Sequence, residues 1–323
     1  MTLRRFVFVT APVLAWASVL APALASADAL AEGPEVQWSA PPVFVRGQPF
    51  LAHVEIVAAE GGTVIASWLL TPAAFTVDGK ACAKRAADEG ALELPAGFRV
   101  SGDIDLGPHL EAEGDFKLGY ASEVTDAEPL EVLLTEVAAP GLNFMELPAA
   151  ELPDFRVIFK TNRGDMALEF YPDVAPKHVR NFLDLSSSGF YDGTLFHRVG
   201  PGFMIQGGDP NTKGANKATW GQGTGPRSLE AEFNEKLHER GVLSMARSTD
   251  PNSASCQFFV MHGRAPGLDR MYSVFGKLLG GYEALDAIAS APGEKIDGAT
   301  VRPKEPQRLE KAIVCRRVRG AAK

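Results

Sequence analysis

Phe196-His197-Arg198-Val199-Gly200-Pro201-Gly202-Phe203-Met204-Ile205-Gln206-Gly207-Gly208-Asp209 decides how this chain is read. It sets a permanent cation (Arg198), an aromatic ring (Phe203), a thioether (Met204) and an amide (Gln206) on a run that alternates like a strand and is broken by Gly and Pro. Successive side chains of a strand point to opposite faces. Arg198, Met204 and Gln206 can therefore share one face, with Phe203 turned by the Pro201-Gly202 break. An apolar floor with one fixed guanidinium suits an extended peptide better than a charged metabolite. The stretch brings no evident acid, base or nucleophile.

Two further blocks follow in order. One is Gly241-Val242-Leu243-Ser244-Met245-Ala246 with Ser255-Cys256-Gln257-Phe258-Phe259-Val260; the other is Leu268-Asp269-Arg270-Met271-Tyr272-Ser273-Val274-Phe275-Gly276-Lys277. A lone Phe-His-Arg would mean little, but three ordered blocks are specific. Together, from about Phe155 to Val318, they resemble the cyclophilin family of peptidyl-prolyl cis/trans isomerases. The resemblance implies a closed antiparallel β-barrel capped by a helix at each end, with no sheet edge left open. It also implies an enzyme that needs no cofactor and turns the Xaa-Pro bond of unfolded or extended polypeptides.

That bond rotates slowly because resonance gives it double-bond character, with a barrier of roughly 18–20 kcal/mol. Catalysis breaks no bond. The enzyme must grip the peptide, exclude water and weaken the resonance. Arg198 is the expected donor to the proline nitrogen as it becomes pyramidal, since arginine stays protonated and carries a fixed fork of donors. Phe203, Met204, Phe259 and Leu268 are expected to form the proline pocket, and Gln206 and Gln257 to hold the substrate backbone. Ala246, Arg247 and Tyr272 complete the binding set. Phe258, one residue out of phase with Phe259, should be core. His197 should be structural, since no proton has to move. Two departures stand out: Gly267 occupies a position where many members carry a Trp that contacts cyclosporin, and Tyr272 one where many carry His. Both put high cyclosporin sensitivity in question. Arg247 opens a slightly long loop, 247–253, and can give the groove a positive edge.

Beyond these blocks, 323 residues suggest two domains, and 32 Gly with 23 Pro favour short strands and turns over long helices. Residues 1–27 read as a secretory signal peptide. Arg4-Arg5 precede an apolar run from Phe6 to Leu20, and Ala23-Leu24-Ala25 or Ala25-Ser26-Ala27 offers a cleavage site. A periplasmic or secreted protein is expected, with no stable membrane insertion after cleavage. Cys82, Cys256 and Cys315 make an odd number with no metal-site spacing, so neither a disulfide framework nor a metal is expected.

Charge splits the chain. Residues 28–150 carry 20 acidic and 6 basic side chains, and residues 151–323 carry 20 acidic and 24 basic. Such asymmetry marks two units with different surfaces. No concentrated basic stripe appears, so nucleic acid is not an expected partner. Residues 28–137 read as an acidic all-β domain of unknown role, with runs at 43–45, 50–56, 63–70, 98–106, 115–120 and 130–137. An immunoglobulin-like β-sandwich is the architectural expectation. Residues 138–154, with Pro140-Gly141, Pro148 and Pro153, read as a linker, and 155–323 as the cyclophilin-like domain. There Asn162-Arg163-Gly164-Asp165 turns a hairpin, and Asp173 can cap a helix with Pro176 in its first turn and Val179, Phe182 and Leu183 inward. A second short helix spans Glu283 to Ala289.

The resemblance and the signal-peptide reading together imply a mainly β, exported peptidyl-prolyl isomerase that assists folding. A proline-binding module or chaperone with little turnover, its N-terminal domain doing the recognition, is the alternative. A third reading is an envelope-associated protein whose N-terminal half is the working part.

Overall fold

The computed structural model describes residues 34–86 and 90–319; the expected signal peptide lies outside them. The chain forms two compact units. Of the described residues, those up to Ala40 and those within Phe50–Leu110 and Lys117–Pro129 make the first. Pro41–Pro49, Glu111–Phe116 and the described residues from Leu130 on make the second.

The strands of the N-terminal half are β1 (Glu35–Ser39), β2 (Val43–Val45), β3 (Leu51–Val57), β4 (Thr63–Ala66), β5 (Phe75–Val77), β6 (Lys80–Ala81), β7 (Ala91–Leu94), β8 (Arg99–Asp105), β9 (Phe116–Tyr120) and β10 (Leu130–Val137). In the first unit β3 pairs with β1 on one side and β8 on the other, and β4 pairs with β7. β3 alternates as written: Ala52, Val54 and Ile56 are fully buried, while Leu51 and His53 face out. Trp38, Phe75 and Tyr120 pack as an aromatic cluster with centroids 5.0–6.0 Å apart. These small sheets do not make the expected immunoglobulin-like sandwich. The 63–70 run breaks after Ala66 into a 3-10 turn, Ser67–Leu70, and the 43–45 and 130–137 runs belong to the other unit.

The second unit adds β11 (Phe155–Thr161), β12 (Gly164–Phe170), α1 (Pro176–Ser187), β13 (Arg198–Gly200), β14 (Met204–Gly207), β15 (Val242–Met245), β16 (Phe258–Met261), β17 (Val274–Gly280), α2 (Tyr282–Ala289), β18 (Gly293–Lys295), β19 (Val301–Pro303) and β20 (Leu309–Arg317). Its strands run in the order β18-β19-β13-β14-β16-β15-β17-β12-β11-β20-β10, with β2 parallel to β10. The ladders follow an open path, not the closed barrel the resemblance implied. Between the lead-in to β13 and the start of β20 there is a single bridge, Leu195 to Arg308. Backbone bonds from Phe196 to Gln307 (2.8 Å) and from Leu309 to Thr194 (2.9 Å) flank it. Pro303 and Pro306 precede β20 and have no N–H to extend a ladder.

Three local differences have physical causes. Helix α1 starts at Pro176, but Asp173 does not cap it. The Glu232 carboxylate instead takes the N–H groups of Lys177 (3.1 Å) and His178 (3.0 Å), while proline at the first position presets the backbone. The stretch expected as a linker is packed: Phe144 and Leu152 are buried in the main core, and Arg180 donates to the carbonyls of Phe144 (2.9 Å) and Leu147. Finally β10 extends the sheet by pairing Thr135, Glu136 and Val137 with Arg317, Arg316 and Cys315. The three cysteines are free, Cys256 and Cys315 being buried.

Candidate active site

The hairpin of β13 and β14 builds the site. Its register sets Arg198 opposite Gln206 and Gly200 opposite Met204, so the side chains of Arg198, Met204 and Gln206 leave one face of the sheet. Gly202 makes the turn at a φ of +76°, which the absence of a Cβ permits. The tip is pinned by the residue that follows β16: the Gly202 N–H donates to His262 Nδ1 (2.8 Å), and the Phe203 carbonyl accepts from the His262 N–H (2.9 Å). Gln206 lies opposite Phe259 in turn, and Met204 opposite Met261.

On this face Met204, Val242, Phe259, Met261 and Val274 form a small apolar cluster, separate from the main core, with Phe203, Ala246, Leu268 and Tyr272 packed against it. The cluster floors a cleft of about 160 Å³ lined by Arg198, Phe203, Met204, Gln206, Ala246, Arg247, Phe259, Leu268 and Tyr272. Tyr272 meets Phe259 edge-on (5.6 Å, 85°), and the fully buried His238 stacks under the same ring (5.9 Å, 17°).

Gln257 is the one expected site residue outside the lining. Its Nε2 donates to the carbonyls of Gly221 (3.0 Å) and Gly223 (2.8 Å), and its Oε1 accepts from Gln206 (3.1 Å). The amide is thus used within the protein, where a peptide had been expected to satisfy it. Gln206 hands the order on: its Oε1 accepts from Arg198 Nη1 (3.2 Å). His197 is 5% exposed, and burial lowers its pKa, so the ring sits neutral behind the strand.

Two residues that sequence reasoning missed hold the guanidinium from the other side. Arg198 donates from Nε to the Thr300 hydroxyl (3.0 Å) and from Nη2 to Asp297 (2.9 Å). The Asp297 carboxylate also takes the N–H groups of Ala299 (2.9 Å) and Thr300 (2.8 Å). Led by the Ala299 bond, these contacts hold its pKa far below the usual carboxylate range. The only local signal was the Asp297-Gly298 turn pair, and nothing there pointed to Arg198, 99 residues earlier. A half-exposed cation is therefore fixed on three sides at the rim of an apolar cleft, where it can offer donors without reorganising.

The sequence model of the cyclophilin-type peptidyl-prolyl cis-trans isomerase family matches residues 156–314. A probable peptidyl-prolyl cis-trans isomerase of Brucella abortus is 40% identical over 181 residues, covering 54% of this chain and 90% of the relative. The chain belongs to the cyclophilin family. A peptidyl-prolyl cis-trans isomerase of Arabidopsis thaliana is also 40% identical, over 149 residues, covering 43% of this chain and 87% of that one. Among solved structures, a cyclophilin-type isomerase of Cryptosporidium parvum, crystallised in the presence of the dipeptide Ala-Pro, is 34% identical with a TM-score of 0.44. That match covers 49% of this chain and 98% of the other. The family match falls within the second unit, whose residues 156–314 are those of a cyclophilin-type peptidyl-prolyl cis/trans isomerase.

Proposed function

We propose that this cyclophilin is an exported folding enzyme that turns Xaa-Pro bonds of extended polypeptides in the periplasm, with Arg198 as the donor to the proline nitrogen. Phe203, Met204, Phe259 and Leu268 grip the ring and keep water from it. The observation that carries the reading is the convergence of that apolar cluster with a guanidinium tied to Asp297, Thr300 and Gln206 in one cleft. The reaction moves no proton, so a permanently charged donor is the fitting catalyst, and its stabilisation of the pyramidal nitrogen exists only in the transition state. Gln206 and Gln257 act as a relay of amides that holds Arg198 in place. Export rests on Arg4-Arg5, the apolar run to Leu20 and the small residues at 23–27.

The test is cis/trans exchange of a short Xaa-Pro peptide, followed by NMR with the purified protein and its Arg198→Ala variant. The variant is expected to stay folded and lose about a hundredfold or more in turnover. Near-normal exchange in a folded variant would remove Arg198 from its role. Peptide binding without acceleration by either protein would favour the proline-binding module. Periplasmic fractionation with the mass of the mature N-terminus tests the export half.

A further inference from the structure

The lining of the cleft holds two guanidiniums, and only one of them has a carboxylate. Arg198 is paired with Asp297 at 2.9 Å. Arg247 has no carboxylate partner among the described residues. Its Nε and Nη2 donate to the Met271 carbonyl at 3.1 and 2.9 Å, and its Nη1 donates to the carbonyls of Ser248 (2.8 Å) and Thr249 (3.3 Å). Carbonyls fix a guanidinium without cancelling its charge. Two rings hold its plane as well, Tyr272 at 4.7 Å and Phe233 at 5.7 Å from the central carbon. Nearby carboxylates are engaged elsewhere: Asp269 with Arg264 and His238, Glu235 with Arg270. Asp250 caps its own turn through the Asn252 N–H.

We propose, resting on the reading of this cleft as the peptide site, that Arg247 makes the enzyme prefer proline segments with an acidic side chain next to the proline. Four of the five guanidinium N–H groups are spent on carbonyls, which leaves one on Nη2 for an incoming carboxylate. The group is already ordered, so a substrate Glu or Asp gains a charge-assisted bond at little entropic cost. A substrate Lys meets an uncompensated cation in the same place. A purely structural Arg247, pinning the 247–253 loop to Met271, would affect all peptides alike.

The experiment measures kcat/KM of the full protein by NMR exchange on end-blocked peptides Ala-Xaa-Pro-Phe and Ala-Ala-Pro-Xaa, with Xaa as Glu, Gln or Lys. At low salt Glu should exceed Lys by about fivefold or more in at least one series, and the ratio should fall toward one as salt rises. In Arg247→Gln the ratio should collapse at low salt, whatever happens to the absolute rates. Equal rates for Glu and Lys in both series, or a ratio that survives Arg247→Gln, would overturn the preference. Should that variant fail to fold, the salt series on the unaltered protein decides, and a ratio indifferent to salt overturns the proposal. No acceleration of any peptide would overturn the reading of the cleft itself, and the preference with it.

Discussion

Phe258 and Phe259 are neighbours on one strand and serve two different ends. Phe258 is fully buried, with Phe159, Phe182 and Tyr191 at 5.3–5.4 Å and Phe196 at 6.2 Å around it. Phe170 and Phe275 continue the same core through Phe182. Phe259 points the other way, onto His238 and Tyr272 and into the cleft. The period of two along β16 thus divides cohesion from recognition, so that each face should fail in its own manner when cut back.

The sharpest way to break that division is a pair of truncations. Phe258→Ala should cost about 3–5 kcal/mol in a urea unfolding series, because the ring is enclosed on all sides and its neighbours cannot collapse into the space. Phe203→Ala removes a half-buried ring that lines the cleft. It should cost about 1 kcal/mol or less of stability while raising KM for a proline peptide about tenfold, since the lost surface matters chiefly when a ring is bound. Equal destabilisation by both changes, or unaltered peptide affinity in Phe203→Ala, would mean that the two faces are not separate.

Acidity offers a second, milder test. His197 and His238 are both buried, and desolvation sets each pKa below the ordinary 6.5. In the window between the lowered folded value and 6.5 the unfolded chain binds the proton and the folded chain does not. Their contribution is therefore fully present above about 6.5 and is lost as the pH falls below it. The rotation itself moves no proton. The urea midpoint should drop between pH 7.5 and 5.5 while kcat/KM of the folded protein stays flat; a rate that follows the midpoint would tie catalysis to a titrating group.

How much of this was legible in the sequence depends on range. Short-range signals read well: the alternation around Arg198, the Pro201-Gly202 break, the hairpin at Asn162-Arg163, and the opposed burial of Phe258 and Phe259 are all carried by a few consecutive residues. What stayed hidden needs partners far along the chain. Glu232 capping α1, Asp297 and Thr300 holding Arg198, and β10 pairing with β20 join positions 55 to more than 180 residues apart. Composition misled at 138–154, where Pro and Ala suggested a linker, yet two apolar residues, Phe144 and Leu152, suffice to dock the segment. A fragment starting at 151 would lose Phe144 and the β10 edge together. In the first unit alternation was visible, but alternation alone does not say which strands pair.

Gly267 gives the smallest expected effect on stability and a specific gain in binding. It sits in the 3-10 turn Pro266–Leu268, beside the cleft-lining Leu268. A Cβ there would meet nothing within 4 Å, and its backbone is outside the left-handed region that favours glycine. Gly267→Trp should therefore leave the unfolding free energy within about 0.5 kcal/mol of the parent, as for an exposed substitution without strain. If the cleft is the ring-binding face, the new indole extends its wall, and cyclosporin affinity should rise about tenfold by calorimetry, in keeping with the burial of part of one large side chain. A stable variant with unchanged affinity would show that the open space at Gly267 faces away from the cleft, and would confine the recognition face to Phe203, Met204, Phe259 and Leu268.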